Sequence, residues 1–277
     1  MNYFSPDYLG LLKMVLTRYD LEPAVRFSPV KFSRSEFRNP LNYFIAKHAQ
    51  RIVESAGKLV FSRPETFDAA KRLSGLDWPI EAETMIGVKR LDQFHNALRT
   101  CDVEQIKGDV LEAGIWRGGA VIFAAAYLSQ SNPFSRRVIA ADSFDGLPPP
   151  DSRYPVDVGD LHSTIDFLRV SEKEVLANFR KFAVSTENVD FLPGWFEDTL
   201  PTVGNRNLAI LRMDGDMYSS SSHILSALFD RVTPGGFVIV DDYALRGARE
   251  AVHDFLDGRG LSPEISDIDG IGAYFRV

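Results

Sequence analysis

The chain has 277 residues, a formal net charge of −7, and 45% hydrophobic against 25% charged residues, the composition of a globular protein with material for a sizeable core. The acidic balance argues against an electrostatic nucleic-acid binder and suits a cationic ligand. A single cysteine, Cys101, excludes an internal disulfide framework.

The opening "MNYFSPDYLGLL" has neither a basic stretch nor a small-residue cleavage site, so no signal peptide is expected. Residues 5–18 carry apolar positions at helical spacing, and 19–40 read as irregular around Pro23, Pro29 and Pro40. A second helix is predicted over 41–62. A capping signal in "SRPETFDAAKRLSGLDWP" precedes a stop at Gly75 and Pro79, and 84–104 reads as helical again. The longest purely apolar run, 121–128, is far short of the roughly 20 residues of a membrane span. A cytoplasmic protein is expected.

From residue 108 the rhythm changes. Short β-branched runs ("DVLEAGI", "RRVIAAD", "NVDFLP", "LAILRMD", "GGFVIVDD") alternate with helical patterns. That alternation predicts βαβ units and a parallel sheet, the α/β class, Rossmann-like and doubly wound. "IGAYFRV" at the end reads as a strand paired back antiparallel. The chain thus divides into a helical N-terminal region, 1–104, suited to covering the site or to oligomerisation, and a domain over 105–277. The insertion 143–170 is too long for a plain crossover and reads as a lid. "DMYSSSSH" reads as a helix start capped by serine.

In an open α/β sheet, ligands sit beyond the carboxyl ends of the strands. Those ends carry Glu112 and Gly114, Asp142, Gly194 and Trp195, Asp214, then Asp241 and Asp242. The glycine loop has the spacing E-x-G-x-x-x-G-G, through Gly118 and Gly119. A dinucleotide fingerprint needs glycine where Trp116 stands, and the Gly-Lys-Ser/Thr of a phosphate loop is missing. Backbone therefore approaches a ligand closely without being built for phosphate, unless the glycines serve only a tight turn. Asp142 suits either a ribose's vicinal hydroxyls or a helix cap. Together they point to a nucleoside-containing ligand without a pyrophosphate.

Asp214 and the pair Asp241–Asp242 end neighbouring strands, which lie about 4.8 Å apart. Three such carboxylates repel one another unless a hard divalent cation such as Mg²⁺ sits between them. Asp216 is ambiguous, since "DGD" also fits the D-x-D metal motif of glycosyltransferases. Four readings stand at this stage: a metal-dependent methyltransferase, an NAD-dependent dehydrogenase, a D-x-D glycosyltransferase and a non-catalytic binder. The dehydrogenase leaves the acidic trio unexplained, and the glycosyltransferase leaves Glu112 and the glycine loop unexplained.

The stretches "GLDWPIEAETMIGVKRLD", "GDVLEAGIWRGGA", "ADSFDGLP", "GWFEDTLP", "LRMDGDMYSS" and "GGFVIVDDY" resemble the macrocin O-methyltransferase family. The likeness implies an S-adenosylmethionine-dependent enzyme that methylates sugar hydroxyls of natural products. Carried over by position, it implies that Glu112, Gly114 and the Gly118–Gly119 turn line the cofactor's methionine end, with Thr84, Met85 and Ile86 closing over it. Asp142 and Ser143 would hold the ribose, and Gly194, Trp195 and Phe196 would border the adenine. Asp214, Asp241 and Asp242 would bind Mg²⁺. The segment 26–70 departs from the macrolide-tailoring pattern, which leaves the acceptor open. Asp214 is the expected general base, and His162, in the lid, a second candidate to touch the acceptor. The expected partners are a small-molecule acceptor, a glycosylated natural product or sugar, and a second copy of the chain as a homodimer. Nucleic acid is not expected.

Overall fold

The apolar runs after residue 108 form one sheet covered on both faces, the arrangement that unbroken runs of Val, Ile, Leu and Ala require. The structure is a computed structural model that describes residues 7–19, 25–27, 39–55, 65–66 and 68–277. In chain order its elements are α1 (Tyr8–Leu16), β1 (Val25–Phe27), α2 (Pro40–Ser55), β2 (Glu65–Thr66), α3 (Ala69–Leu73), β3 (Trp78–Pro79) and α4 (Val88–Val103). There follow β4 (Asp109–Ala113), α5 (Gly119–Gln130), β5 (Val138–Asp142), α6 (Glu172–Lys181), β6 (Val189–Pro193), α7 (Phe196–Thr199) and β7 (Leu208–Met213). The chain ends with α8 (Tyr218–Leu228), β8 (Val232–Val240), α9 (Arg246–Gly258), β9 (Ser266–Asp267) and β10 (Ala273–Arg276).

Seven strands make the main sheet in the order β6-β5-β4-β7-β8-β10-β9. β4 to β8 run parallel, and β10 lies antiparallel on β8, as expected of the last strand. The two-residue edge strand β9 carries no periodicity for a sequence reading to find. One buried layer joins α1, α4, α5 and α6 to one face through residues such as Leu91, Phe94, Phe123 and Phe179. A second joins α8 and α9 to the other face through Leu211, Met213, Leu225 and Val252.

The helices of the N-terminal region fall where periodicity predicts them, with narrower limits. α1 is capped by Asp7, which accepts from the Gly10 amide at 2.8 Å. The stretch of the second predicted helix past Ser55 lies outside the described residues. Leu41, Phe44, Ile45 and Ile52 leave α2 with an exposed apolar stripe. Within the region read as irregular, β1 pairs antiparallel with β2 and β3, in strands too short to show a period. Lys13, buried beneath α1, donates to Asp92 at 2.6 Å and lies 2.9 Å from His95 Nδ1. Burial and that ammonium push His95 down to about 4.

The 143–170 insertion is folded into three short 3-10 turns, Pro155–Asp157, His162–Thr164 and Asp166–Leu168. Trp116 Nε1 ties it to the glycine loop by donating to the Phe167 carbonyl at 3.0 Å. Asp157 is buried and accepts from the Tyr218 and Ser219 amides at 2.7 and 3.0 Å. The predicted serine cap of this helix is therefore replaced by an aspartate from the insertion. Met217, at the N-cap position, supplies no side-chain hydrogen bond.

Replacing Asp157 by alanine leaves two buried amides unpaired. A loss of about 1–3 kcal/mol in chemical denaturation is expected, with faster proteolysis inside 143–170; unchanged stability and cleavage would show that the insertion is held by other contacts.

Candidate active site

The chain leaves β4 for β5 and β6 on one side and returns to β7 and β8 on the other. The switch point thus lies between β4 and β7, where a crevice opens beyond the strand ends. Gly114, just after β4, has φ +90, and a Cβ there would run into the carbonyl oxygen of Asp214. Only glycine lets these two strand tips meet. The double glycine has a different cause: a Cβ on Gly119 would lie 2.5 Å from the Glu83 carbonyl, which instead accepts from the Gly119 amide at 2.9 Å. Gly119 thus seats the 82–84 segment on the start of α5, while Gly118, at φ +83, leaves room for Val175 of α6.

The crevice is a cavity of about 380 Å³, within the range of small-molecule sites. Of the residues expected at the cofactor, Met85, Gly114, Asp142, Ser143, Gly194, Trp195, Phe196 and Asp214 line it. Thr84, Ile86, Glu112 and Gly118 are not on its wall. Thr84, Ile86 and Glu112 are buried behind it. The insertion closes one side with Leu147, Pro148, Pro149 and Tyr154.

The Asp142 carboxylate accepts from the amides of Ile115 at 2.8 Å, Trp116 at 3.3 Å and Phe144 at 2.8 Å. Burial pushes its pKa up against those hydrogen bonds. Asp142 therefore shapes two loops at the wall, holding Trp116 and Phe144 at the positive φ of 46 and 55. Ser143 Oγ accepts from the Asp145 amide and donates to the Gly146 carbonyl.

Asp214 and Asp216 line the floor, and Asp242, off the wall itself, brings an oxygen within 4.8 Å of theirs. Burial and the charges of Asp241 and Asp242 hold Asp214 well above the usual carboxylate range, against Arg212. Burial and Asp214 push Asp216 up to about 7; burial, Asp216 and Asp241 push Asp242 up to about 8. Asp242 Oδ2 is buried with no hydrogen-bond partner.

Asp241 departs from the expected trio, because strand alternation turns it to the opposite side. Arg212 holds its Oδ1, and Arg90 Nη1 its Oδ2 at 2.5 Å. Arg212 also donates to Glu112 and lies 3.5 Å from Asp214, while Arg90 Nε reaches Asp269 at 3.1 Å. Burial opposes the charge on Arg212, but the carboxylates of Asp241, Glu112, Asp214 and Asp242 raise its pKa. Burial pushes Glu112 up to about 7 despite that partner. His162 lies off the cavity wall, half-buried, with Nδ1 at 2.8 Å from Asp160. That hydrogen bond raises its pKa, with Asp216 a further negative neighbour.

Sequence reasoning missed Arg212, Arg90 and Asp157. Arg212 left a signal, a lone charge inside the apolar run "LAILRM"; Arg90 and Asp157 sit in polar stretches with nothing to distinguish them.

The macrocin-O-methyltransferase (TylF) family model matches residues 5–277. A tetracenomycin-C rhamnosyl 4'-O-methyltransferase of Streptomyces olivaceus is 44% identical over 76% of this chain and 81% of its own. The mycinamicin III 3''-O-methyltransferase of Micromonospora griseorubida is 44% identical over 74% and 82%. The solved O-methyltransferase NovP superposes with a TM-score of 0.78 at 34% identity over 97% of each chain. The calicheamicin methyltransferase CalS11, at 19% identity and TM-score 0.53, shares the fold. A model spanning nearly the whole sequence and relatives above 40% identity leave one conclusion: the chain belongs to the macrocin-O-methyltransferase family and is an O-methyltransferase.

Proposed function

We propose that the chain transfers a methyl group from S-adenosylmethionine to a sugar hydroxyl of a natural product, with Mg²⁺ at the floor of the cleft. The observation that carries this reading is that Asp214 and Asp216 line the same cavity as Gly114, Asp142 and Trp195, and that an oxygen of Asp242 joins theirs within 4.8 Å. The relatives' names supply the acceptor class: a rhamnosyl group in one and the 3''-hydroxyl of mycinamicin III in another.

The donor is a compact sulfonium with a nucleoside. Gly114 offers close backbone, Asp142 and Ser143 border the ribose, and Gly194, Trp195 and Phe196 border the base. A net-acidic cleft suits the positive sulfur. Met85 lies against the same wall.

The donor set at the floor fits a hard divalent cation. It is all oxygen, three carboxylates share 4.8 Å, and a buried Asp242 oxygen is unmatched. Asp214 and Asp242 would hold the ion, which when bound lowers the acceptor hydroxyl's pKa and orients it. The chain's own groups do the rest. Asp216 lines the cleft, its backbone is held at a positive φ of 54, and burial and Asp214 bring it to about 7. A carboxylate at that place on the wall accepts the acceptor's proton at its oxygen. The base role expected of Asp214 thus passes to Asp216, since Asp214 is engaged with Arg212 and Asp242. His162, held by Asp160, faces Asp216 as a positive neighbour rather than the substrate. Walls of Trp116, Pro148 and Pro149 exclude water and hold oxygen, methyl and sulfur in line.

Asp216→Asn is expected to lower kcat by about 10²–10⁴-fold with little change in donor affinity. Turnover within a few-fold of wild type would remove Asp216 from the base role.

The raised carboxylates also set the sign of a pH effect. A carboxyl whose folded pKa exceeds its unfolded value keeps its proton longer in the native state. Stability of the metal-free protein then falls as pH rises from about 4 through the values near 7 and 8 of Asp216 and Asp242. Thermal denaturation is expected to show Mg²⁺ raising Tm more at pH 8 than at pH 5.5. Asp242→Asn is expected to abolish that rise. A Mg²⁺ effect equal at both pH values, or kept in the variant, counts against the cation site.

A further inference from the structure

Strand alternation puts three charged residues on one side of the sheet. Leu111 and Ala113 in β4, Leu211 and Met213 in β7, and Val240 in β8 all belong to the layer under α8 and α9. Glu112, Arg212 and Asp241 therefore project toward α4. Glu112 and Arg212 stand opposite each other in the β4–β7 register. From α4, Arg90 reaches Asp241 and Asp269. The result is a buried chain, Glu112–Arg212–Asp241–Arg90–Asp269, running across β4, β7, β8 and the turn before β10.

Arg212 is only 1% exposed and lines no part of the cavity. Stability alone gives a poor reason for it. Burying ions costs several kcal/mol each, and apolar side chains of similar volume commonly serve as well or better. The network is moreover incomplete as a stabilising device, because Glu112 Oε2 is buried without a hydrogen-bond partner. What the guanidinium does uniquely is geometric. Its planar fork touches the acids of three adjacent strand tips at once: Glu112, Asp241 and, at 3.5 Å, Asp214. Asp214 is itself a member of the cleft cluster, and Asp241 immediately precedes another, Asp242.

We propose that Arg212 is a positioning residue for methyl transfer: from behind the cleft it locks the tips of β4, β7 and β8 together, so that Asp214 and Asp242 face one another across the cation position. The inference rests on the cation site proposed above. Glu112 serves as the far anchor of this lock and contributes nothing to donor binding. Arg90 secures the outer oxygen of Asp241 and fixes the direction in which Asp242 points.

The test is calorimetric titration of the full chain with Mg²⁺ alone and, separately, with S-adenosylmethionine. Arg212→Lys keeps the charge but loses the fork. It is expected to bind Mg²⁺ about tenfold or more weakly, the usual scale for residues that orient metal ligands, with S-adenosylmethionine affinity within about twofold of wild type. Its kcat falls while KM for the donor holds. Glu112→Gln, a smaller change that keeps the fold if the lysine variant does not, is expected to weaken Mg²⁺ in the same direction and leave donor affinity alone. Mg²⁺ binding equal to wild type in both variants overturns the positioning role while leaving the cation site standing. Equal losses for Mg²⁺ and donor would mark a merely structural residue and overturn it too. A wild-type protein that binds no Mg²⁺ sinks both readings.

Discussion

Asp241, clasped between Arg90 and Arg212, is the point on which the site depends. At the carboxyl ends of four of the five parallel strands, β4, β5, β7 and β8, the fold gathers Glu112, Asp142, Asp214, Asp216, Asp241 and Asp242. So many carboxylates in one low-dielectric crevice cannot all ionise unaided. The protein divides them by face. Those turned toward α4 are neutralised by buried arginines, and Asp142 is met by backbone amides. Asp214 and Asp216 are left on the cleft wall with Asp242 beside them, the pKa of each raised above the ordinary carboxylate range. The division follows from the two-residue period of a strand, which sends Asp241 and Asp242, neighbours in sequence, to different partners.

The same economy appears in the helices. α4 belongs by sequence position to the N-terminal region, yet Phe94, Leu98 and Leu91 pack it onto the sheet, and Arg90 reaches through to β8. The N-terminal region therefore builds part of the support behind the site and is not only a cover for it. The 82–84 segment does likewise: Glu83 receives the Gly119 amide on its carbonyl and pairs with Lys181 through its carboxylate. The insertion is fastened at its start by Ser143 and Asp142, at its middle by Asp157 to α8, and near its end by Trp116 to the Phe167 carbonyl. It lines one side of the cleft without being long, loose chain.

How much of this was legible depended on whether the sequence pattern was local. The parallel sheet, its antiparallel last strand and helices α4, α5, α6, α8 and α9 follow from runs of apolar residues whose period needs no tertiary information, whereas the four-residue α7 is too short to show one. The strand-end rule brought Gly114, Asp142, Gly194 and Asp214 to the cavity wall. What it could not supply was the direction of each side chain. Glu112 reads as a ligand because it stands one residue before the end of β4, but that one residue turns it to the α4 side, where Arg212 holds it. Thr84 and Ile86 are likewise buried, while Met85 between them lines the cleft. The three short strands β1, β2 and β3 were invisible because two or three residues have no period at all.

An arginine within "LAILRMD" is the part of the sequence that carried more than was taken from it. A charge at the centre of a fully buried strand is costly unless opposite charges meet it, so its presence already implied acids on the strands to either side. In the α/β arrangement those neighbours are β4 and β8, whose tips carry Glu112 and Asp241. The acids that crowd the strand ends and the arginine beneath them are therefore one feature seen from two sides. Removing the arginine leaves too much negative charge for the crevice, and removing the acids strands a buried cation. Coupling of that kind explains how Asp214, Asp216 and Asp242 can converge at one point beside the cleft above a well-packed sheet.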